Sequence, residues 1–185
     1  MCYNYPMTTV YLTGGAKNGK SGLGQKLARA IAKREGLSLY YVATMIPHDE
    51  EDRARIARHV HDRSGLGFTT LEQGRDLAKL ARPDGFYLLD SVTALLANVM
   101  FGDGGFDPGA PEKTAADLLA FLDRAGGAVL ISDYIGGDGG VYDDWTRQYM
   151  AGLAYLDRTL AARCDTVAEM TAGLPLVYKG SLNLC

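Results

Sequence analysis

The chain has 185 residues, is 47% hydrophobic and carries a formal net charge of -3. That is enough apolar content for one domain with a sizeable core, and it lacks the basic surplus of a nucleic-acid binder. Cys2, Cys164 and Cys185 are scattered without metal or redox spacing and read as reduced thiols of a cytoplasmic protein; the first seven residues do not form a signal peptide, and no apolar run reaches the length of a membrane span.

Thr9 to Thr13 is an apolar, β-branched run that predicts a first strand, and Leu23 to Arg34 follows with helical periodicity. Between them lies Gly14-Gly15-Ala16-Lys17-Asn18-Gly19-Lys20-Ser21, which fits G-x-x-x-x-G-K-[ST], the phosphate-binding P-loop. A Gly-rich turn between strand and helix aims backbone N–H groups at phosphate oxygens, and the helix N-terminus adds positive partial charge. Lys20 is then expected at the β- and γ-phosphates and the Ser21 hydroxyl at Mg²⁺.

Ser38 to Ala43 predicts a second strand, Asp49 to Asp62 a helix, and Gly67 to Leu71 a short strand. Phe86 to Asp90 reads as a buried strand, Ser91 to Phe101 as a helix and Gly102 to Pro111 as a Gly/Pro-rich loop. Glu112 to Arg124 is helical, Ala128 to Ser132 is a buried strand, and Asp133 to Gly140 is a second Gly-rich loop. A long helix over Asp143 to Arg163 precedes two closing strands, Thr166 to Met170 and Leu174 to Tyr178, paired through Thr171-Ala172-Gly173. Alternating apolar strands and helices imply an α/β fold with a mostly parallel sheet covered on both faces, its ligand at the C-terminal edge of the strands. With no repeat and no linker, residues 1–185 read as a single nucleotide-binding domain.

Asp90 ends an apolar strand, where a carboxylate can hold Mg²⁺ together with Ser21; capping the helix that begins at Ser91 is the plainer alternative. In the Asp49 to Arg63 segment, acids fill the first turn and bases the last, as on a solvated, dipole-matched helix. Arg55, His59 and Arg63, however, recur every four residues and share one face. Two guanidiniums flanking an imidazole favour its neutral, nucleophilic form, and such an imidazole can attack phosphorus to give a phosphoramidate. His61 lies on another face, and His48 precedes the segment. Glu72 is either a surface acid opening a helix at Gln73 or an acceptor for the N1–H and amino group of guanine. Tyr142, Trp145 and Tyr149, at the start of the long helix, suit core or interface packing; Arg147 and Arg158 read as solvated.

Together these motifs resemble the bifunctional adenosylcobinamide kinase/adenosylcobinamide-phosphate guanylyltransferases of cobalamin biosynthesis, from about Val10 to Gly180. The family's Gly-Gly-Ala-Arg-Ser-Gly-Lys-Ser is matched by Gly14 to Ser21, its Tyr-Ile-Ala-Thr by Tyr41-Val42-Ala43-Thr44, and its Arg-Ile-x-x-His by Arg55-Ile56-Ala57-Arg58-His59. Leu88-Leu89-Asp90-Ser91-Val92-Thr93, with Asn98 beyond, is similar to Leu-Leu-Asp-Cys-Leu-Thr and its later Asn, and Ala172 to Leu176 with Lys179-Gly180 resembles the last strand. The family's Arg-Pro and Trp appear as Arg63-Ser64 and Phe68, and its Asn-Glu-Val-Gly becomes Asp133-Tyr134-Ile135-Gly136, without the proline that usually follows.

The resemblance implies a RecA-like P-loop NTPase fold, a trimeric homo-oligomer and two reactions. In the first, ATP or GTP with Mg²⁺ phosphorylates adenosylcobinamide. In the second, His59 takes GMP from GTP and passes it to the cobinamide phosphate. The resemblance also assigns the P-loop, Thr44, Arg55, Arg63, Glu72 and Asp90 to the nucleotide. Two other readings fit the residues: a P-loop kinase with one activity, and a nucleotide-dependent binding module.

Overall fold

The computed structural model describes residues 8–47, 50, 65–102, 104–135 and 139–182. The chain runs β1 (Thr8–Gly14), α1 (Lys20–Glu35), β2 (Ser38–Ala43), β3 (Thr69–Glu72), a short 3₁₀ turn (Leu77–Lys79), β4 (Gly85–Asp90), α2 (Val92–Met100), α3 (Ala110–Leu122), β5 (Gly127–Ile131), α4 (Asp144–Arg163), β6 (Thr166–Thr171) and β7 (Leu174–Lys179). The helix expected over Asp49 to Asp62, with His59, Arg55 and Arg63, falls almost entirely outside the described residues.

All the described strands join one sheet in the order β3-β2-β4-β5-β1-β6-β7. Neighbours are parallel except β7, which runs antiparallel to β6. The strand carrying the P-loop, β1, is separated from the strand ending in Asp90, β4, by β5 alone. This insertion of one strand between the two is the RecA-like arrangement, and the fold is an α/β P-loop NTPase. None of the described helices is long and apolar enough to cross a membrane.

Side-chain alternation divides the core between the two faces of the sheet. Phe86 and Leu88 of β4 pack with Val10, Leu12, Val129 and Ile131 against Leu27, Ala28 and Ile31 of α1. Tyr87 and Leu89 point the other way, into a cluster with Leu95 and Leu96 of α2, Leu118 and Phe121 of α3, and Leu153, Leu156 and Leu160 of α4. Each fully buried Leu or Phe contributes about 1.5–3 kcal/mol of transfer free energy. Burial on both faces explains why the central strands are unbroken apolar runs.

Several boundaries differ from the sequence expectation. Helix α1 starts at Lys20 rather than Leu23, because its first turn is built from the P-loop itself. Helix α3 begins at Ala110, so Pro111 belongs to its first turn and not to the loop before it; proline suits that turn, where its missing N–H costs no intrahelical bond. No helix opens at Gln73: Glu72 ends β3, and only the 3₁₀ turn at Leu77–Lys79 follows. The closing hairpin forms as expected. Thr171 pairs with Leu174, and Ala172 and Gly173 turn the chain with φ of 51° and 80°, the left-handed pair of a two-residue hairpin turn.

A candidate nucleotide cleft at the strand ends

Parallel registry brings the C-terminal ends of β1, β4 and β5 to one edge. Asp90 pairs with Ile131 and Leu12 with the same Ile131, so Gly14 extends two residues beyond them. A cleft of about 540 Å³ opens there, lined by Lys17 to Gly22, Tyr41, Asp90, Ser91, Thr93, Asp133 and Tyr149, among others.

The loop geometry begins at Gly14, whose φ is 141°. A Cβ there would sit 2.5 Å from the Met170 carbonyl oxygen and 2.5 Å from Asn18 Nδ2. Only glycine fits so close to β6. Asn18 fixes the far side of the loop by donating from Nδ2 to the Met170 carbonyl. Lys17, with φ 56°, and Gly19, with φ 96°, complete the reversal into α1. Gly19 places no side-chain cap on that helix, so the first N–H groups of α1 face the cleft, together with the positive end of the helix dipole. Gly15 has open space where its Cβ would be.

Lys20 is only 5% exposed. Its ammonium donates to the carbonyls of Gly14 (2.9 Å) and Gly15 (2.6 Å) and, more weakly, to Asn18 Oδ1 at 3.4 Å. It also forms an ion pair with Asp133 Oδ1 at 2.8 Å. Asp133 itself is held through its backbone, whose N–H donates to Thr93 Oγ1 at 2.8 Å, and the next N–H, that of Tyr134, donates to the Gly14 carbonyl at 2.9 Å. Tyr149 closes this side by donating to the Thr93 carbonyl at 2.7 Å. Burial, with the Asp133 carboxylate nearby, raises the Tyr149 hydroxyl above the ordinary tyrosine range, so it remains a neutral donor.

Asp90, expected beside Ser21 from its place at the end of an apolar strand, lies within hydrogen-bond distance of it. Ser21 Oγ donates to Asp90 Oδ2 at 2.9 Å, and Tyr41 OH donates to the same oxygen at 2.9 Å. The helix cap proposed as the plainer role for Asp90 belongs to its neighbour: Ser91 is the N-cap of α2 and accepts from the Ala94 N–H at 3.2 Å. A hydroxyl oxygen and a carboxylate oxygen converging at the mouth of a P-loop form a hard-donor pair of the kind Mg²⁺ takes from protein while keeping water and phosphate as its other ligands.

Thr44 is fully buried. Its hydroxyl donates to the Ser91 carbonyl at 2.8 Å and accepts from the Ser91 N–H at 2.7 Å, so its side-chain contacts brace the Asp90–Ser91 segment. Glu72 stands in a row with Ala43 and Asp90 across β3, β2 and β4, about 10 Å from Asp90 by strand spacing. It lines a second cavity of about 600 Å³ with Arg75, Asn98 and Phe101. Asn98 joins the chain after β2 to the chain after β3, since its Nδ2 donates to the carbonyls of Thr44 (2.7 Å) and Gly74 (3.1 Å). His59, Arg55 and Arg63 lie outside the described residues, as do His48 and His61.

From sequence alone Asp133 has no assigned role, and nothing singles out the Tyr41 hydroxyl. Asp133 had a usable signal, being an acid directly after an apolar strand of a parallel sheet, where ligand-facing residues collect. Tyr41 enters only through the matched Tyr41-Val42-Ala43-Thr44 motif, because inside an apolar strand its ring reads as core. Of the aromatics near the start of α4, Trp145 packs edge-on against Phe106 at 4.3 Å while remaining 54% exposed. Arg158 is exposed, and Arg147 pairs with Asp144 on the surface.

The family model described as cobinamide kinase / cobinamide phosphate guanyltransferase matches residues 10–178. The chain is 32% identical over 174 residues to the bifunctional adenosylcobalamin biosynthesis protein CobP of Pseudomonas aeruginosa, covering 91% of this chain and 96% of that one. It is 28% identical over 185 residues to the bifunctional adenosylcobalamin biosynthesis protein CobU of Salmonella typhimurium, covering 92% and 99%. Among solved structures, a KaiC-like protein of Pyrococcus horikoshii superposes with a TM-score of 0.49 and 13% identity, covering 94% of this chain and 79% of that one.

Proposed function

The chain belongs to the cobinamide kinase / cobinamide phosphate guanyltransferase family, and on that premise we propose that it is a bifunctional enzyme of cobalamin biosynthesis. It phosphorylates adenosylcobinamide with ATP or GTP and then transfers GMP from GTP to adenosylcobinamide phosphate. The observation that carries this reading is the family match across the chain, joined to a P-loop whose Lys20, Ser21 and Asp90 meet in one cleft.

In the first reaction, the backbone N–H groups of residues 15–21 and the Lys20 ammonium bind the β- and γ-phosphates. Ser21 and Asp90 would hold Mg²⁺, which would supply charge neutralisation on the phosphate oxygens. The side-chain hydroxyl of the corrinoid attacks the γ-phosphorus and gives up its proton to solvent, the bond to the β,γ-bridging oxygen breaks, and the nucleoside diphosphate leaves. Lys20 stabilises the charge that builds on the transferred group. In the second reaction, His59 forms a P–N bond to the α-phosphorus of GTP and pyrophosphate departs. A phosphate oxygen of the cobinamide phosphate then displaces His59, yielding adenosylcobinamide-GDP. A covalent intermediate splits one difficult displacement into two easier ones. Arg55 and Arg63 hold the phosphates, and Glu72 accepts from the guanine edge.

The whole chain serves as one nucleotide-binding domain in this reading, working in the cytoplasm as a homo-oligomer, a trimer by family resemblance. The outermost strand supports self-association. Every residue of β7 is exposed, including Leu174 at 71% and Tyr178 at 63%, and an apolar unpaired edge is a template for pairing with another chain.

Incubation with adenosylcobinamide, ATP, GTP and Mg²⁺, followed by chromatography and mass spectrometry, tests the proposal. Accumulation of the phosphate ester and then of adenosylcobinamide-GDP is expected, with the first product lost in Lys20→Ala. Corrinoid returned unmodified under conditions where nucleotide binds would overturn the reading.

A further inference from the structure

We propose that Asp133 is a positioning residue that stands in for phosphate on Lys20 whenever the cleft is empty. It competes with incoming nucleotide and recaptures Lys20 as the diphosphate product leaves. The inference deepens the kinase reading above and rests on it for its effect on turnover.

A nearly buried ammonium such as that of Lys20 needs a counter-charge, because an unpaired buried cation is strongly unfavourable. The carbonyls of Gly14 and Gly15 supply hydrogen bonds but no charge. Asp133 Oδ1, at 2.8 Å, supplies the charge. In a loaded P-loop this same ammonium faces the β- and γ-phosphates. The carboxylate therefore occupies ground next to where phosphate oxygens land, and two anions so close repel unless one withdraws.

Asp133 is built to withdraw. Its side chain is 39% exposed, against 5% for Lys20. Its backbone, by contrast, is pinned on two sides, by its own N–H on Thr93 and by the Tyr134 N–H on Gly14. Rotation about the side-chain torsions can swing the carboxylate off Lys20 toward solvent while the loop stays in place. On product release the movement reverses, and Lys20 never spends time buried without a partner. The consequence is weaker nucleotide binding and faster release of the diphosphate than the P-loop alone would give.

The test uses the full chain and fluorescent ADP and GDP as probes. Asp133→Asn is expected to bind both about three- to ten-fold more tightly, with slower dissociation in stopped flow. In a Lys20→Ala background the same substitution should change affinity less than two-fold. Thermal melts supply a second reading that does not need Lys20→Ala to bind. Without nucleotide, Asp133→Asn melts below wild type; with saturating ADP, it melts at or above wild type. A loop merely damaged by the substitution would instead weaken binding and stability in both states. Unchanged or weaker affinity in Asp133→Asn, or an equal gain with and without Lys20, would overturn the proposal. Wild type that binds ADP and shows the affinity shift but phosphorylates no cobinamide would overturn the kinase reading and the turnover role while leaving the competition on Lys20 standing.

Discussion

Gly14 and Gly15 are adjacent in the P-loop, yet the structure demands opposite outcomes when each becomes alanine. At Gly14 the backbone lies at φ 141°, where an L residue costs about 1–3 kcal/mol of strain. Its new Cβ would lie 2.5 Å from the Met170 carbonyl. That carbonyl cannot retreat freely, because Gly14 and Met170 are partners in the β1–β6 ladder and the same oxygen accepts from Asn18. Forced overpacking of this kind costs about another 1–3 kcal/mol. The sum, about 4 kcal/mol, corresponds to a drop in Tm of roughly 8–16 °C for a domain of this size. Gly15→Ala meets no atom within 4 Å and should melt within about 2 °C of wild type. Circular-dichroism melts without nucleotide make the comparison. A Gly14→Ala protein as stable as wild type, or a Gly15→Ala protein as damaged as Gly14→Ala, would refute the reading of the loop.

Asp90→Asn should fold normally, because an amide oxygen can still accept from Ser21 and Tyr41. Phosphorylation should fall by about 100-fold or more and demand more Mg²⁺, as read from initial rates across a Mg²⁺ titration. Asp157 of α4 accepts from Tyr11 and, at 3.4 Å, from Ser132, and burial raises its carboxyl above the usual value of 3.8. A raised acid stabilises the fold below its unfolded pKa, and that contribution is lost as pH rises through the folded value. Asp157→Asn lacks this loss, so urea unfolding from pH 3 to pH 7 should show the variant gaining on wild type as pH rises; a constant difference would contradict the assignment. Burial pushes the Cys164 thiol up to about 11, so in the native state it should resist iodoacetamide at pH 8 and react only on unfolding, as read by peptide mass mapping.

Much of this architecture is legible in the residues, for physical reasons. Strands β4 and β5 are buried on both faces, so they appear as the continuous apolar runs FYLLD and AVLI. The P-loop is legible because its chemistry needs glycines and a lysine at fixed spacing. Positions set by local hydrogen bonds are harder to read. The choice of Ser91 over Asp90 as the cap of α2 depends on which side chain reaches the Ala94 N–H, and both residue types cap well. The start of α3 at Ala110 was hidden because proline signals a loop and a first helical turn alike. The Lys20–Asp133 pair joins residues 113 positions apart through the β1–β5 registry, and only the sheet order brings them together. The same holds for the row of Asp90, Ala43 and Glu72, which exists only once β3 is placed beside β2.

Covalent guanylylation of His59 is the step that separates the two-reaction enzyme from a plain P-loop kinase, and intact-protein mass reads it directly. Wild type and His59→Ala are incubated with GTP and Mg²⁺, weighed, and then challenged with acid. A GMP-sized gain that is acid-labile and missing from His59→Ala is the predicted result. No gain under conditions where the kinase turns over would contradict the transferase half, and a gain that survives in His59→Ala would move the nucleophile elsewhere, with His61 the next residue to replace.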